Sequence, residues 1–192
     1  MNTPKLVTER LILRRFEEKD IPALFDILKD EEVNTFLPWF PLRTLGKARK
    51  FYEKRYRAAY ELPQGYRYAV CLREDDVPVG YIDIKTDASH DLGYGLKKQF
   101  WQRGIATEAG RALLDQAKAD GLPYVTATHD VRNFRSGAVM KRLGMTYRYS
   151  YNELVQPKNE RVTFRMYQIN FGGEQNFVFR GYAEETFIEP GV

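Results

Sequence analysis

The 192-residue sequence has little with which to build a cross-linked or metal-held protein: one cysteine, Cys71, and two histidines, His90 and His129. A lone cysteine excludes a disulfide framework and fits a reducing compartment. One Cys and two His do not suffice for a closed structural zinc site. No window is long and apolar enough to span a bilayer. The first ten residues lack an apolar leader core, so they read as mature protein and the expectation is a soluble, cytoplasmic chain with no membrane partner. There is no run of five or six basic residues, although the net charge is +4 and the pI about 9.0. A spread basic excess suits a phosphate-bearing small ligand or a solvated surface, and no nucleic-acid reader motif accompanies it, so none is expected as partner. G-x-G-x-x-G and G-K-[ST] are both absent, which excludes the Rossmann and P-loop fingerprints. Neither histidine has a serine or cysteine partner at a recognisable elbow, so hydrolase chemistry is unsupported.

What is present is globular. Hydrophobic residues at 43% and charged residues at 29% are ordinary values for a folded chain, and the length suits one domain with a real core. Aromatics at 14% predict a core or cleft lined with rings. Residues 6–15 (LVTERLILRR) are β-branched and half alternating, and predict a first strand. Asp20 reads as an N-cap, with Pro22 in the first turn and Ile21, Leu24, Phe25 and Leu28 on one helical face. Phe36 to Pro41 is an aromatic loop, and Thr44 caps a second helix to about Tyr60. A hairpin follows over residues 66–72 and 77–85, turning at residues 74–76. Residues 91–96 (DLGYGL) are a short strand whose two glycines suggest a bulge or a close backbone approach. Next come a helix from about Ile105 to Ala119 ended by Gly121, a strand over 123–129, a helix over 133–143 closed by Gly144, and strands over 146–154 and 161–169. This order predicts one mixed α/β (α+β) domain over residues 1–170, with helices covering a mostly antiparallel sheet. Residues 171–192 carry Phe177, Phe179, Tyr182, Phe187 and Ile188, too apolar for a free tail. They predict an extension packed on the domain or on a partner subunit, which makes a homodimer a possible assembly.

The chemistry concentrates where the strand 91–96 runs through residues 97–104 (KKQFWQRG) into a helix. A loop opening a helix offers unpaired N–H groups and the positive end of the dipole, an anion site by construction. Gly104 permits close backbone approach, Ala106 keeps the wall small, Thr107 adds a hydroxyl, and Lys97, Lys98 and Arg103 add positive charge. The residue-level reading is a pyrophosphate cradle, against the plain alternative of a glycine at a strand-to-helix turn.

Residues 101–109 (WQRGIATEA) resemble motif A of the GNAT superfamily of acyl-CoA-dependent N-acetyltransferases, [QR]-x-x-G-x-[GA]. Gly104 and Ala106 match it. Trp101 departs from the leading Gln/Arg, but with Thr107, Glu108 and Ala109 it resembles the ribosomal-protein N-terminal acetyltransferase branch, where Gln102 replaces a common glycine. Residues 8–14 (TERLILR), 79–82 (VGYI), 133–136 (NFRS) and 143–145 (LGM) resemble further signatures of that branch in the same order. The resemblance implies a GNAT-like fold: a twisted sheet of about seven strands with a splayed parallel pair, strands 91–96 and 125–129, flanked by about four helices.

It also implies acetyl-CoA as co-substrate, held by Leu96, Trp101, Gln102, Arg103, Gly104, Ile105, Ala106, Thr107, Asn133 and Ser136. The pantetheine amides would pair with the splayed strand edge, a strand N–H near Leu96 would stabilise the oxyanion, and Arg135, Lys141 and Arg142 could meet the adenosine phosphates. Met140 stands where many members carry a tyrosine acid, so Ser136 becomes the candidate proton donor. Asp83 and Asp91, with His90 behind them, are the candidate bases for an amine that is mostly protonated near pH 7. Glu108, in the first helical turn, reads as structural; Cys71 reads as core; Tyr147 is a further possible acid that more readily packs. The acceptor is a peptide N-terminus or a small amine, approached past Trp39 and Phe40, with Asp30, Glu31 and Glu32 available to make the entrance acidic. The alternative function is a non-catalytic acyl-CoA sensor.

Overall fold

The computed structural model describes residues 2–172 and 176–192, so Met1 and residues 173–175 of the tail lie outside it. The first predicted strand is a hairpin: β1 (Leu6–Val7) and β2 (Leu11–Arg14) pair antiparallel about residues 8–10. Helix α1 (Ile21–Lys29) follows, then α2, which begins at Leu45–Tyr52, passes through a π turn at Glu53–Arg57 and ends at Ala58–Tyr60. Strands β3 (Tyr66–Leu72), β4 (Pro78–Ile84) and β5 (Leu92–Leu96) complete a five-stranded antiparallel sheet in chain order. After α3 (Ile105–Ala119) come β6 (Tyr124–Asp130), α4 (Phe134–Arg142), β7 (Thr146–Val155) and β8 (Glu160–Asn170), the strands forming a second antiparallel sheet in the order β6-β8-β7. Among the described residues eight strands stand where about seven are expected, the extra one arising from the split of residues 6–14.

Two helix starts behave differently. Thr44 accepts the Lys47 N–H at 3.2 Å, as a cap should. Asp20 does not cap α1; its carboxylate is held by Arg14 at 2.6 and 3.1 Å and accepts the Glu17 N–H, so a buried ion pair has taken the residue that local pattern assigns to the cap.

The first sheet is covered on both faces. Leu11, Leu13, Tyr68, Val70, Ile82 and Ile84 pack with Leu113 and Ala117 of α3. Ala69, Cys71 and Tyr81 face Leu24, Ile27 and Leu28 of α1 and Tyr56 of α2. Burial pushes the Cys71 thiol up to about 12, consistent with a packing role. A third cluster, Tyr149, Tyr151 and Met166, lies on the second sheet under Val178, Tyr182 and Ala183 of the C-terminal extension. Phe187 pairs with Ser150 through two backbone bonds of 2.8 and 2.9 Å, and Glu189 forms an ion pair with Arg165 at 2.5 Å. The extension thus lies on the domain's own sheet. Among the described residues no helix is long and apolar enough to cross a membrane, and no cluster of His, Cys, Asp and Glu is suited to a metal.

Candidate active site

The two sheets meet at one parallel bridge among the described residues, Asp91 to Thr126, where the Thr126 N–H donates to the His90 carbonyl at 3.2 Å. Beyond it β5 and β6 diverge into a wedge. The Lys85 N–H bonds the Asp91 carbonyl at 3.0 Å and the Lys97 N–H bonds the Val79 carbonyl at 2.8 Å. By antiparallel alternation the odd residues of β5 therefore face β4, while Leu92, Tyr94 and Leu96 turn their backbone groups into the wedge. Such an edge is a template for an extended, amide-bearing ligand. The Leu96 carbonyl is already engaged by the Trp101 indole N–H at 2.9 Å, which leaves the Leu96 N–H as its wedge-facing donor.

Gly93 and Gly95 do not form a bulge, because the β4–β5 register is unbroken. They make room instead. A Cβ on Gly93 would stand 3.0 Å from Asp83 Oδ1, and one on Gly95 would stand 2.7–2.8 Å from the Tyr81 ring and hydroxyl. Side chains of β4 thereby reach over β5 toward the wedge, a device seen only once register pairs Asp83 with Gly93.

At the open end of the wedge α3 starts on Gly104 at φ +75°, the left-handed region, and Gly104 has no side chain to cap the helix. Gln102 is left-handed too, at φ +59°, a conformation that glycine would adopt at less cost. Gln102, Arg103 and Gly104 are exposed, Ile105 and Thr107 are buried, and Ala106 is half-buried. The Thr107 side chain is therefore turned into the core, away from the exposed loop where a phosphate would sit. The loop is braced from β1–β2: Glu108 accepts Thr8 Oγ1 at 2.6 Å, the Arg10 N–H at 2.9 Å and Arg10 Nε at 2.7 Å, while Arg10 also donates to the Arg103 carbonyl at 3.0 Å. Burial alone would raise the Glu108 carboxyl, but these donors hold it below its ordinary value. Lys97 and Lys98 do not serve the loop. Lys97 lies 3.9 Å from Asp26 of α1 and Lys98 pairs with Glu32 in the turn after α1, on the side to which the 3-10 turn at Lys98–Phe100 directs them. Besides Arg10 and the loop's own Arg103, Arg135 approaches, 5.2 Å over the Trp101 ring.

Asn133 caps α4, accepting the Ser136 N–H at 3.3 Å. Ser136 lies in the first turn, where the Tyr94 hydroxyl reaches it from β5, 2.9 Å from the Ser136 carbonyl and 2.8 Å from Ser136 Oγ. Burial raises the Tyr94 phenol and the Ser136 bond pulls it back, so the ring stays protonated at neutral pH. Tyr94 is the residue the sequence reading passes over: strand alternation places it with Leu92 and Leu96, but nothing local marks a partner 42 residues on. Met140 is buried at 1% exposure.

The two candidate carboxylates differ. Asp83, 4% exposed, meets Arg55 at 2.7 Å and Arg67 at 3.4 Å. Arg55 comes from the π turn of α2 and lies 5.3 Å over Trp39. Asp91 sits at the closed end of the wedge beside Lys85 at 3.0 Å; burial raises its carboxyl, opposed by Lys85. His90 adjoins the bridge with its ring 5.2 Å from Tyr124, and the imidazole of His129, lowered by burial, packs against Gly137 and Tyr167. Tyr147 bonds Ser150 and Glu189, within the tail contact rather than the wedge. Glu31 pairs with Arg43 and Glu32 with Lys98, so neither contributes free negative charge to the entrance.

The acetyltransferase (GNAT) domain family matches residues 10–146, more than half of the chain. The chain is 27% identical over 159 residues to the uncharacterized N-acetyltransferase YnaD of Bacillus subtilis, covering 81% of this chain and 90% of that protein. Its fold is similar to a GNAT-family acetyltransferase from Bacillus anthracis, with TM-score 0.77 and 26% identity over 88% of this chain and 99% of that one. It is also similar in fold to a structure described as a putative ribosomal-protein-serine acetyltransferase from Vibrio cholerae, with TM-score 0.74 and 20% identity over 88% and 99% of the two chains.

Proposed function

Since the chain belongs to the GNAT acetyltransferase family and is an acetyl-CoA-dependent N-acetyltransferase, we propose that its donor site is the wedge between β5 and β6 and that its acceptor is a protein N-terminal α-amine. The observation that carries the site is the inner edge of β5, joined to β6 among the described residues at the Asp91–Thr126 bridge alone, running up to an uncapped, left-handed glycine at a helix start. The N–H groups of residues 102–107 hold the pyrophosphate, with Trp101 and Asn133 shaping the loop and the helix start on either side. The Leu96 N–H faces the developing oxyanion.

Acetyl-CoA supplies an activated acyl group on a thiol that leaves. Nitrogen bonds to the acyl carbon, the carbon–sulfur bond breaks, nitrogen sheds a proton and sulfur acquires one. Asp83, reaching over Gly93, receives the amine proton through water, with Asp91 deeper in the wedge as the other candidate. Ser136 donates toward the sulfur. Tyr94 has one proton for two acceptors. With that proton on the Ser136 carbonyl, the serine donates to the phenol; with it on Ser136 Oγ, the serine proton is free to face the sulfur. The pair thus offers a donor where Met140 cannot.

The α-amine acceptor is supported by the branch signatures and by the fold likeness to the Vibrio cholerae protein. A small amine is the second reading, favoured by Lys158, whose ammonium bonds the carbonyls of Asn34 at 3.0 Å and Thr35 at 2.8 Å. That contact ties the turn between β7 and β8 to the loop that follows α1. Calorimetric titration of acetyl-CoA and CoA into wild type and Gly104→Glu tests the donor site: binding in wild type that is lost in the variant is expected, and equal binding would sink the assignment. Turnover against N-terminal peptides and small amines then separates the two acceptors, and no turnover with any amine would favour a sensor.

A further inference from the structure

On the α1–α2 face of the first sheet, β4 carries Tyr81 and Asp83 opposite Gly95 and Gly93 of β5. The Tyr81 hydroxyl lies 2.8 Å from where a Gly95 Cβ would be, and Asp83 Oδ1 lies 3.0 Å from where a Gly93 Cβ would be. The two polar ends therefore stand one strand repeat apart, about 7 Å. Both side chains are buried, yet the Tyr81 hydroxyl has no hydrogen-bond partner among the described residues. Leaving a buried polar atom unpaired costs stability, and the great majority of such atoms are paired. Arg55 brings a second orphan to the same place: its Nη2 donates to Asp83 Oδ2 at 2.7 Å, while its buried Nε has no partner. Burial raises the Tyr81 phenol, so at neutral pH it keeps its proton, and both orphans are donors. The face is not sealed, for Gly93 and Gly95 are half-buried where Leu92 and Leu96 are buried.

With the donor site and the α-amine acceptor proposed above as premise, the side of attack follows. An acyl carbonyl bonded to the Leu96 N–H, on a ligand extended along the wedge, lies close to the plane of the sheet. An amine reaches such a carbon from above or below that plane. On the α3 face the side chains of Leu92, Tyr94 and Leu96 pack with the main core, and Tyr94 meets Ser136 there. On the α1–α2 face the two glycines leave β5 bare, so the amine comes in on the side of Tyr81 and Asp83. Tyr81 stands over Gly95, next in the chain to Leu96, and Asp83 lies one repeat further back, at water-bridged distance from the amine. The attacking nitrogen needs its lone pair for the acyl carbon, so a hydroxyl donor beside it matches an oxygen of the acceptor instead. In an α-amino carbonyl compound that oxygen lies about 3 Å from the nitrogen. We infer that Tyr81 is a specificity-determining residue of the acceptor site: its hydroxyl donates to the carbonyl oxygen that follows the attacking amine, so the enzyme prefers an α-amino carbonyl acceptor to a plain alkylamine. Arg55 fixes Asp83 and supplies the second donor on this face.

The test is steady-state kinetics at saturating acetyl-CoA for the full chain as wild type, Tyr81→Phe and Tyr68→Phe. The two probes are an alanyl tripeptide and 2-aminobutane, which keeps the shape of the amine end and lacks the carbonyl. Comparing variant with wild type on each probe cancels the probes' own differences in amine basicity and size. Tyr81→Phe should lower kcat/KM for the tripeptide roughly tenfold, and for 2-aminobutane by less than about twofold, with the calorimetric Kd for acetyl-CoA unchanged. Because the variant keeps the ring and removes an orphaned hydroxyl, it should melt no lower than wild type. Tyr68→Phe removes the other orphaned tyrosine hydroxyl, in the core on the α3 face, and should leave the tripeptide rate unchanged. Where wild type turns over the tripeptide alone, the fall with Tyr81→Phe decides by itself. The inference is overturned if Tyr81→Phe turns over the tripeptide within twofold of wild type, if it loses both probes in equal proportion, or if Tyr68→Phe falls as far. Those results sink this inference alone; if wild type turns over neither probe, the acceptor reading falls and this inference with it.

Discussion

Replacing Gly104 separates backbone strain from phosphate recognition. At φ +75° an alanine would be held in the left-handed region at a cost of about 1–2 kcal/mol. Its Cβ would stand 3.4 Å from an Arg10 guanidinium nitrogen, a contact a long side chain relieves by a small shift. For a domain of this length the strain should lower the melting temperature by roughly 2–8 °C. Asparagine tolerates the left-handed region, so Gly104→Asn should melt closer to wild type. Both side chains project from the exposed turn where, in the proposed donor site, the first N–H groups of α3 would meet the pyrophosphate. Loss of one charge-assisted hydrogen bond at about 1.5–3 kcal/mol weakens acetyl-CoA binding by roughly 10- to 150-fold. Melting of the apo forms and calorimetric Kd values for the three proteins test this directly. Affinity should fall in both variants, although only Gly104→Ala loses much stability. If Gly104→Asn binds as wild type does, or affinity merely tracks stability, the phosphate does not sit on this turn and the cradle is refuted.

Tyr94→Phe and Ser136→Ala should each lower kcat by about 10- to 100-fold with little change in the acetyl-CoA KM, and the double variant should be no worse than the poorer single; additive losses would mean that the two hydroxyls act independently. Glu108 has its carboxyl held below the ordinary range by Thr8 and Arg10, so its stabilisation is present above the unfolded value of about 4.3 and is lost as pH falls through the folded value. The stability gap between wild type and Glu108→Gln should therefore be full at pH 7 and shrink in acid; a pH-independent gap in urea melts would contradict the assignment. A chain ending at Asn170 uncovers Tyr149, Tyr151 and Met166, each worth about 1.5–3 kcal/mol of burial, and should melt roughly 10 °C or more lower. On gel filtration, an unchanged mass and an unchanged melt would show that the extension supports neither the fold nor a dimer.

Much of the fold is legible along the chain because its signals are local. The glycines after α3 and α4, the Thr44 and Asn133 caps and the alternation of β3 each act within a few residues, and the structure places their elements within a residue or two of the pattern. Asp20 shows where local reasoning stops: its competing partner, Arg14, lies on another element, and the ion pair outweighs the cap. Lys97 and Lys98 show the same limit, since sequence proximity to the loop does not say which way a 3-10 turn points them.

By itself the sequence determined the family, the order of elements and the glycine turn that opens α3, because a motif and a helix start are contiguous and their backbone conformation follows from residues such as Gly104. Only the tertiary structure decided what lines the cleft. Tyr94 meets Ser136 across 42 positions, and Asp83 passes over Gly93 by strand register. These contacts depend on how separate elements pack, and packing is set by the whole core rather than by any short stretch of chain.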